Sequence, residues 1–191
     1  GSEVLMHFLS PSKDRFLVET RRYLRKTFEN YAANENLAKI VLDQAISPVN
    51  IKKTLKYFDN SKLIIVDRDP RDIYATMISQ KKLLGGEVLN NKSVYKYIKW
   101  HRAGREQVTQ DSDSVFMKNR VLRLNFEDLF LHYDETLENI KEFLGIDFSH
   151  KDKGIKFQYI DIKQHVGIWK DSPDQDVMAI IEKELNEYCF S

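Results

Sequence analysis

The chain has 191 residues, with 30 Lys and Arg against 29 Asp and Glu for a formal net charge of +1. That balance excludes a protein that coats polyanions through bulk charge, and 42% hydrophobic with 31% charged residues describes a soluble globular chain. No apolar run approaches the ~20 residues of a membrane-spanning helix, and a single cysteine, Cys189, excludes an internal disulfide and suits a reducing, cytoplasmic or otherwise soluble setting.

In chain order, Gly1-Ser2 reads as a cloning scar, and residues 1–191 read as a single domain large enough to bury roughly 70% of its unfolded-chain surface. Ser10-Pro11 opens a helix with Leu17, Leu24, Phe28 and Tyr31 on its apolar side. Lys39 to Asp43 reads as a first strand, and Ser47-Pro48 starts a helix with Ile51, Leu55 and Phe58 inward. Leu63 to Val66 is an apolar run too short for a helix and reads as a buried strand of a parallel sheet. Asp69 suits the N-cap of the next helix, Pro70 its first position, and Asp72 the third, where an acid reaches back to the cap. That helix carries Ile73, Tyr74 and Met77 on one side, and the unit ends near Gly85-Gly86.

A long helix follows from about Lys92 to Gln110, then a polar loop at Asp111 to Ser114, a strand over Arg120 to Phe126, and a helix over Asp134 to Leu144 closed by Gly145. Ser172-Pro173-Asp174-Gln175 reads as a capping box for a last helix bearing Val177, Ile180, Ile181, Leu185 and Tyr188. Strands alternating with helices predict an α/β fold, with right-handed βαβ units around a parallel sheet flanked by helices.

The most informative point is the junction at Arg68. It lies where a strand hands over to a helix, the edge at which open α/β sheets bind ligands, and a guanidinium there suits a phosphate or sulfate. The local pattern equally fits an ordinary helix start with Arg68 paired to a carboxylate. Asp69 and Asp72 are assigned to capping, and they would repel an anion from the helix tip, so a phosphate would lie beside the first turns, between Arg68 and the hydroxyl of Thr76.

Arg68-Asp69-Pro70-Arg71-Asp72 after a hydrophobic strand, with Thr76 eight positions past the first arginine, resembles the 3'-phosphate-binding segment of sulfotransferases that use 3'-phosphoadenosine 5'-phosphosulfate (PAPS). In that family the first arginine and a serine hold the 3'-phosphate; threonine keeps the hydroxyl. Val121-Leu122-Arg123-Leu124-Asn125-Phe126-Glu127-Asp128-Leu129, with Phe143-Leu144-Gly145 beyond, is similar to the family's strand, Tyr-Glu-Asp-Leu turn and Phe-Leu-Gly helix. Phe126 keeps the ring that meets adenine and loses the hydroxyl. Lys163-Gln164-His165-Val166-Gly167-Ile168-Trp169-Lys170 resembles the loop ending in Gly-x-Trp-Lys that closes over the 3'-phosphate, with Gln164 where the family has glycine.

The resemblance implies a P-loop-NTPase-like architecture, PAPS as donor substrate without a metal, and donor contacts from Arg68, Thr76, Phe126, Lys163, Gln164, His165 and Trp169. It implies transfer of a sulfuryl group to a hydroxyl or amine of an unidentified acceptor: a glycan, a lipid or a small molecule. Asp43 is the candidate general base, at the end of the first strand on the same sheet edge; a cap or turn role fits it as well. The family's Gly-rich 5'-phosphosulfate loop has no counterpart among the seven glycines. Three readings follow: an enzyme whose N-terminal strand and loop lie outside this sequence, a non-catalytic nucleotide-binding or interaction domain, or likeness of fold alone.

Other candidates have a plainer reading beside the functional one. Trp169 either covers a nucleotide ring or packs, and His101 and Asp67 read as structural. Lys92, Lys96 and Lys99, with Arg102 at the edge, form either an anion-guiding stripe or a solvated helix face. The five histidines and one cysteine show no metal-binding spacing, and nucleic-acid recognition lacks both excess positive charge and a reading motif.

Overall fold

The computed structural model describes residues 12–34, 40–42, 51–58, 61–112, 119–146 and 166–190. It divides into two compact units, residues 1–61 with 108–120 and residues 62–107 with 121–191.

In the first unit, helix α1 (Lys13–Asn34) opens at Ser12, whose hydroxyl accepts from the Arg15 N–H at 3.2 Å. Leu17, Leu24 and Phe28 are half-buried, but Tyr31, expected on the same apolar side, is exposed. Helix α2 (Ile51–Thr54) tightens into a 3₁₀ turn at Leu55–Tyr57, burying Ile51 and Leu55 and setting Phe58 6.2 Å from the Phe28 ring. Its predicted start at Ser47-Pro48 lies outside the described residues. The strand predicted over 39–43 is corrected where it can be seen: residues 40–42 form none, and Val41 is 91% exposed. An apolar triplet becomes a strand only by pairing into a ladder.

The second unit is built on strand β1 (Leu63–Asp67), which runs parallel to strand β4 (Val121–Asn125) in the register Leu63↔Val121 to Asp67↔Asn125. Val66 is 48% exposed, so β1 is less enclosed than its sequence suggests. Helix α3 (Pro70–Ser79) leaves β1 after two residues and ends in a Schellman turn, the Lys82 N–H reaching the Met77 carbonyl at 2.9 Å. A hairpin then appears that the sequence reading passed over: β2 (Leu83–Leu84) and β3 (Glu87–Val88) joined by Gly85-Gly86, both at positive φ as a tight primed turn requires.

Helix α4 (Val94–Ser112) follows and takes in Asp111 and Ser112, which were expected in a loop. Helix α5 (Asp128–Leu131) is a single turn after β4, and helix α6 (Tyr133–Leu144) ends on Gly145 in the left-handed conformation. A 3₁₀ turn at Ile168–Asp171 precedes helix α7 (Gln175–Glu184). The core joins α3, the hairpin, α4 and α7: Tyr74, Leu84, Leu89, Val94, Tyr97, Ile98, Met178, Ile181 and Leu185 are buried together, each aliphatic side chain contributing about 1.5–3 kcal/mol.

The predicted capping box before α7 is corrected. Asp174 is the N-cap without a side-chain hydrogen bond, and the Gln175 amide instead donates to the carbonyls of Trp169, Lys170 and Ser172. Those carbonyls cluster at the end of a 3₁₀ turn, where only that of Trp169 is given a backbone donor, the Ser172 N–H at 3.1 Å, and they draw the amide away.

Candidate functional site

The carboxyl end of β1 is fixed from several sides. Asp67 accepts from Arg123 on β4, Nη2 at 2.6 Å and Nε at 3.0 Å, and its other oxygen meets Arg105 of α4. Arg105 also donates to the Arg68 carbonyl at 3.3 Å and to His101 Nε2 at 3.4 Å. Burial, helped by Arg123, lowers the Arg105 guanidinium to about 10. Burial likewise lowers His101 to about 4, so its neutral ring accepts from Arg105 among Tyr97, Trp100 and Tyr188.

Past the strand, the Phe126 N–H donates to the Asp67 carbonyl at 2.6 Å, and the Arg68 guanidinium lies 5.0 Å from the Phe126 ring centre. The next N–H, of Asp69, donates to buried Glu127 at 2.8 Å; burial raises that carboxyl, opposed by the donated N–H. Asp69 caps α3 as expected, accepting from the Arg71 N–H at 2.8 Å, and it also pairs with the Arg71 side chain at 2.6 Å. Arg71 meets Glu182 at 3.2 Å, donates to the Phe190 carbonyl at 3.1 Å and stands 4.0 Å from the Trp169 ring centre.

Asp72 corrects the sequence reading. It does not reach back to the cap; its carboxylate accepts from the Gly167 N–H at 2.7 Å and the Trp169 N–H at 3.0 Å. The reason is that the cap N–H it would reach, of Asp69, is already donated to Glu127, while two N–H donors from a distant segment take up both Asp72 oxygens. Burial raises Asp72, against the pull of those two amides.

Of the predicted site residues, Arg68 and Phe126 come together. Thr76 sits in the second turn of α3 and donates to the Asp72 carbonyl at 2.7 Å, leaving its oxygen as an acceptor. Trp169 packs on Arg71 and, through its backbone, on Asp72. Asp43, Lys163, Gln164 and His165 lie outside the described residues. Arg71, Arg105, Arg123 and Glu127 carry the junction, and sequence reasoning gave none of them a role. Only Arg123 had a signal: it shares a strand face with Asn125, the register partner of Asp67. In the stripe, Lys96 pairs with Glu87 at 2.8 Å and Arg102 with Glu184 at 3.6 Å, while Lys92 and Lys99 are exposed.

Acids crowd this corner, yet Asp67, Asp69, Asp72 and Glu127 are each engaged by guanidinium or N–H donors. An anion beside Arg68 therefore meets carboxylates already hydrogen-bonded to donors of their own, two of them, Asp67 and Asp69, paired with guanidinium groups. No helix among the described residues is long and apolar enough to cross a membrane, and those residues hold no cluster fit for a metal ion.

Protein-tyrosine sulfotransferase 2 of Gallus gallus is 30% identical over 107 residues, covering 53% of this chain and 28% of that protein. The chain thus spans little more than a quarter of that relative's length. No solved structure matches. The Sulfotransferase family is matched over residues 4–150, a span that takes in β1, the Arg68 junction, β4 and Phe126; the chain belongs to that family.

Proposed function

We propose that this chain binds PAPS and takes part in moving its sulfuryl group to an acceptor hydroxyl or amine. The observation that carries the reading is the Arg68 guanidinium held over Phe126 at the carboxyl end of β1, with every neighbouring carboxylate already matched by its own donors. A planar, permanently charged fork suits the two-oxygen face of a phosphate. Arg68 and Thr76 would hold the 3'-phosphate, with Lys163, Gln164, His165 and Trp169 as the further donor contacts that the family resemblance implies. To donate to phosphate, Thr76 must turn its proton away from the Asp72 carbonyl. Phe126 supports Arg68 and offers a ring to the adenine.

In the transfer, the acceptor oxygen or nitrogen forms a bond to sulfur as the bond from sulfur to the 5'-phosphate oxygen breaks. The acceptor proton passes to a base, for which Asp43 is the candidate, and adenosine 3',5'-bisphosphate leaves. Cations placed where charge gathers on the leaving oxygens supply most of the acceleration. The tyrosine sulfotransferase relative makes a tyrosine phenol the first acceptor to try.

Arg68→Ala is expected to weaken binding of adenosine 3',5'-bisphosphate about tenfold or more while changing 5'-AMP far less, measured by calorimetric titration. Equal losses for both nucleotides would remove the assignment of Arg68 to the 3'-phosphate. Binding of the bisphosphate with that selectivity, with no transfer even in the full-length protein, would favour the non-catalytic reading.

A further inference from the structure

Asp72 is 1% exposed, and its partners lie 95 and 97 positions away in the chain. A buried carboxylate is costly unless hydrogen-bonded, and α3 does not need this one, because Asp69 caps it. Each Asp72 oxygen takes one amide, of Gly167 and of Trp169. Gly167 stands at φ +75, a conformation glycine adopts without penalty, and its carbonyl receives the Lys170 N–H at 3.0 Å to close the turn. One residue before Asp72, Arg71 lies under the Trp169 ring. The first turn of α3 thus grips both the backbone and the aromatic side chain of the Gly-Ile-Trp-Lys segment, and that turn begins two residues after Arg68.

We infer that Asp72 is a positioning residue for the donor site: by holding the Gly167 and Trp169 amides it fixes the turn that carries Trp169, so that donor affinity depends on a side chain that touches no donor atom. This rests on the reading of the donor site given above. A carboxylate is the side chain suited to two converging N–H groups, since it accepts at both oxygens, whereas an amide presents one oxygen and one donor.

The test is Asp72→Asn in the 191-residue chain, read in two independent ways. Amide hydrogen exchange, without nucleotide, should show Gly167 and Trp169 losing about tenfold or more of their protection while the α3 amides keep theirs. Calorimetric titration should show adenosine 3',5'-bisphosphate binding weakened about tenfold and 5'-AMP binding changed less. Unchanged protection of the two amides overturns the anchor. Lost protection with unchanged bisphosphate affinity makes the contact structural only and overturns the positioning role. If the unmutated chain fails to bind the bisphosphate, the donor reading fails and this inference with it, which the wild-type titration reveals separately from the exchange result. Should Asp72→Asn not fold, Gly167→Ala disturbs the same contact from the other side. Its added methyl group meets only Lys170 at ordinary distances, and it leaves Asp72 intact, so the strain is confined to the loop backbone. The same paired losses are then expected, and normal affinity with a displaced turn overturns the proposal.

Discussion

Asp67 is shared by two guanidinium groups, with its own side chain 17% exposed and that of Arg105 only 11%. Burial that deep makes the carboxylate a structural requirement, because removing it leaves Arg105 and Arg123 facing each other with one site of compensation gone. Asp67→Asn keeps the shape and deletes the charge. It is expected to cost about 3 kcal/mol in urea unfolding at unchanged denaturant slope. A loss below about 1 kcal/mol would mean that the cluster behaves as a surface pair. The sequence reading gave Asp67 a structural role, meeting either a backbone donor or a basic neighbour, and could not choose between them, since Arg105 lies on another helix and Arg123 on another strand. Asp69 and Pro70, by contrast, were legible because a helix start is written in consecutive residues.

Two helices end alike with different residues at the critical position. After α6, Gly145 stands at φ +63 while the Ile146 N–H reaches the Lys141 carbonyl; after α3, Lys81 holds the same place at φ +50. The left-handed conformation penalises any side chain with a Cβ, so the substitutions should have opposite signs. Gly145→Ala is expected to destabilise by about 1 kcal/mol, since nothing lies within 4 Å of the new methyl group and only the backbone objects. Lys81→Gly should gain about 0.5–1 kcal/mol, the relieved strain offset by the freer unfolded chain. Thermal melts of both variants check the pair. The Gly145 stop was read from sequence for this very reason, while a lysine in that position gives no local sign. The Gly85-Gly86 turn was readable too: two glycines between Leu83-Leu84 and Glu87-Val88 are a hairpin signal.

At the scale of the whole molecule, stability against pH sums opposing contributions. His101 has a folded value of about 4 against 6.5 for a free imidazole, so the unfolded chain binds the proton first. Its share of stability is complete above 6.5, falls as pH drops, and levels off below about 4, amounting to about 3 kcal/mol. Asp72 and Glu127 act in the reverse sense: burial raises both, so acid relieves the cost of their charge. Comparing the chain with His101→Phe cancels those two. The difference in unfolding free energy should stay constant above neutrality and shift by about 3 kcal/mol against the unmutated protein on acidification to pH 4. A flat difference would place the imidazole in water.

Both units mix what the sequence states locally with what only folding brings together. The α/β alternation, the parallel strand at Leu63 and the position of Arg68 came from short windows of chain. The partners of Asp72 and the tie between Arg71 and Phe190 came from residues about half the chain or more apart, where no spacing rule reaches. Val41, apolar yet 91% exposed, shows the converse: a run that looks like a strand stays irregular without a ladder to join.

The clamp on the Arg68 backbone has a kinetic consequence. With its carbonyl held by Arg105 and the following N–H by Glu127, the conformational freedom of this corner is given up as the chain folds rather than when a nucleotide arrives. Little main-chain ordering then remains for an encounter with the proposed nucleotide, whose affinity here would be governed by how long the anion stays, through its contacts, more than by a slow search for a competent shape.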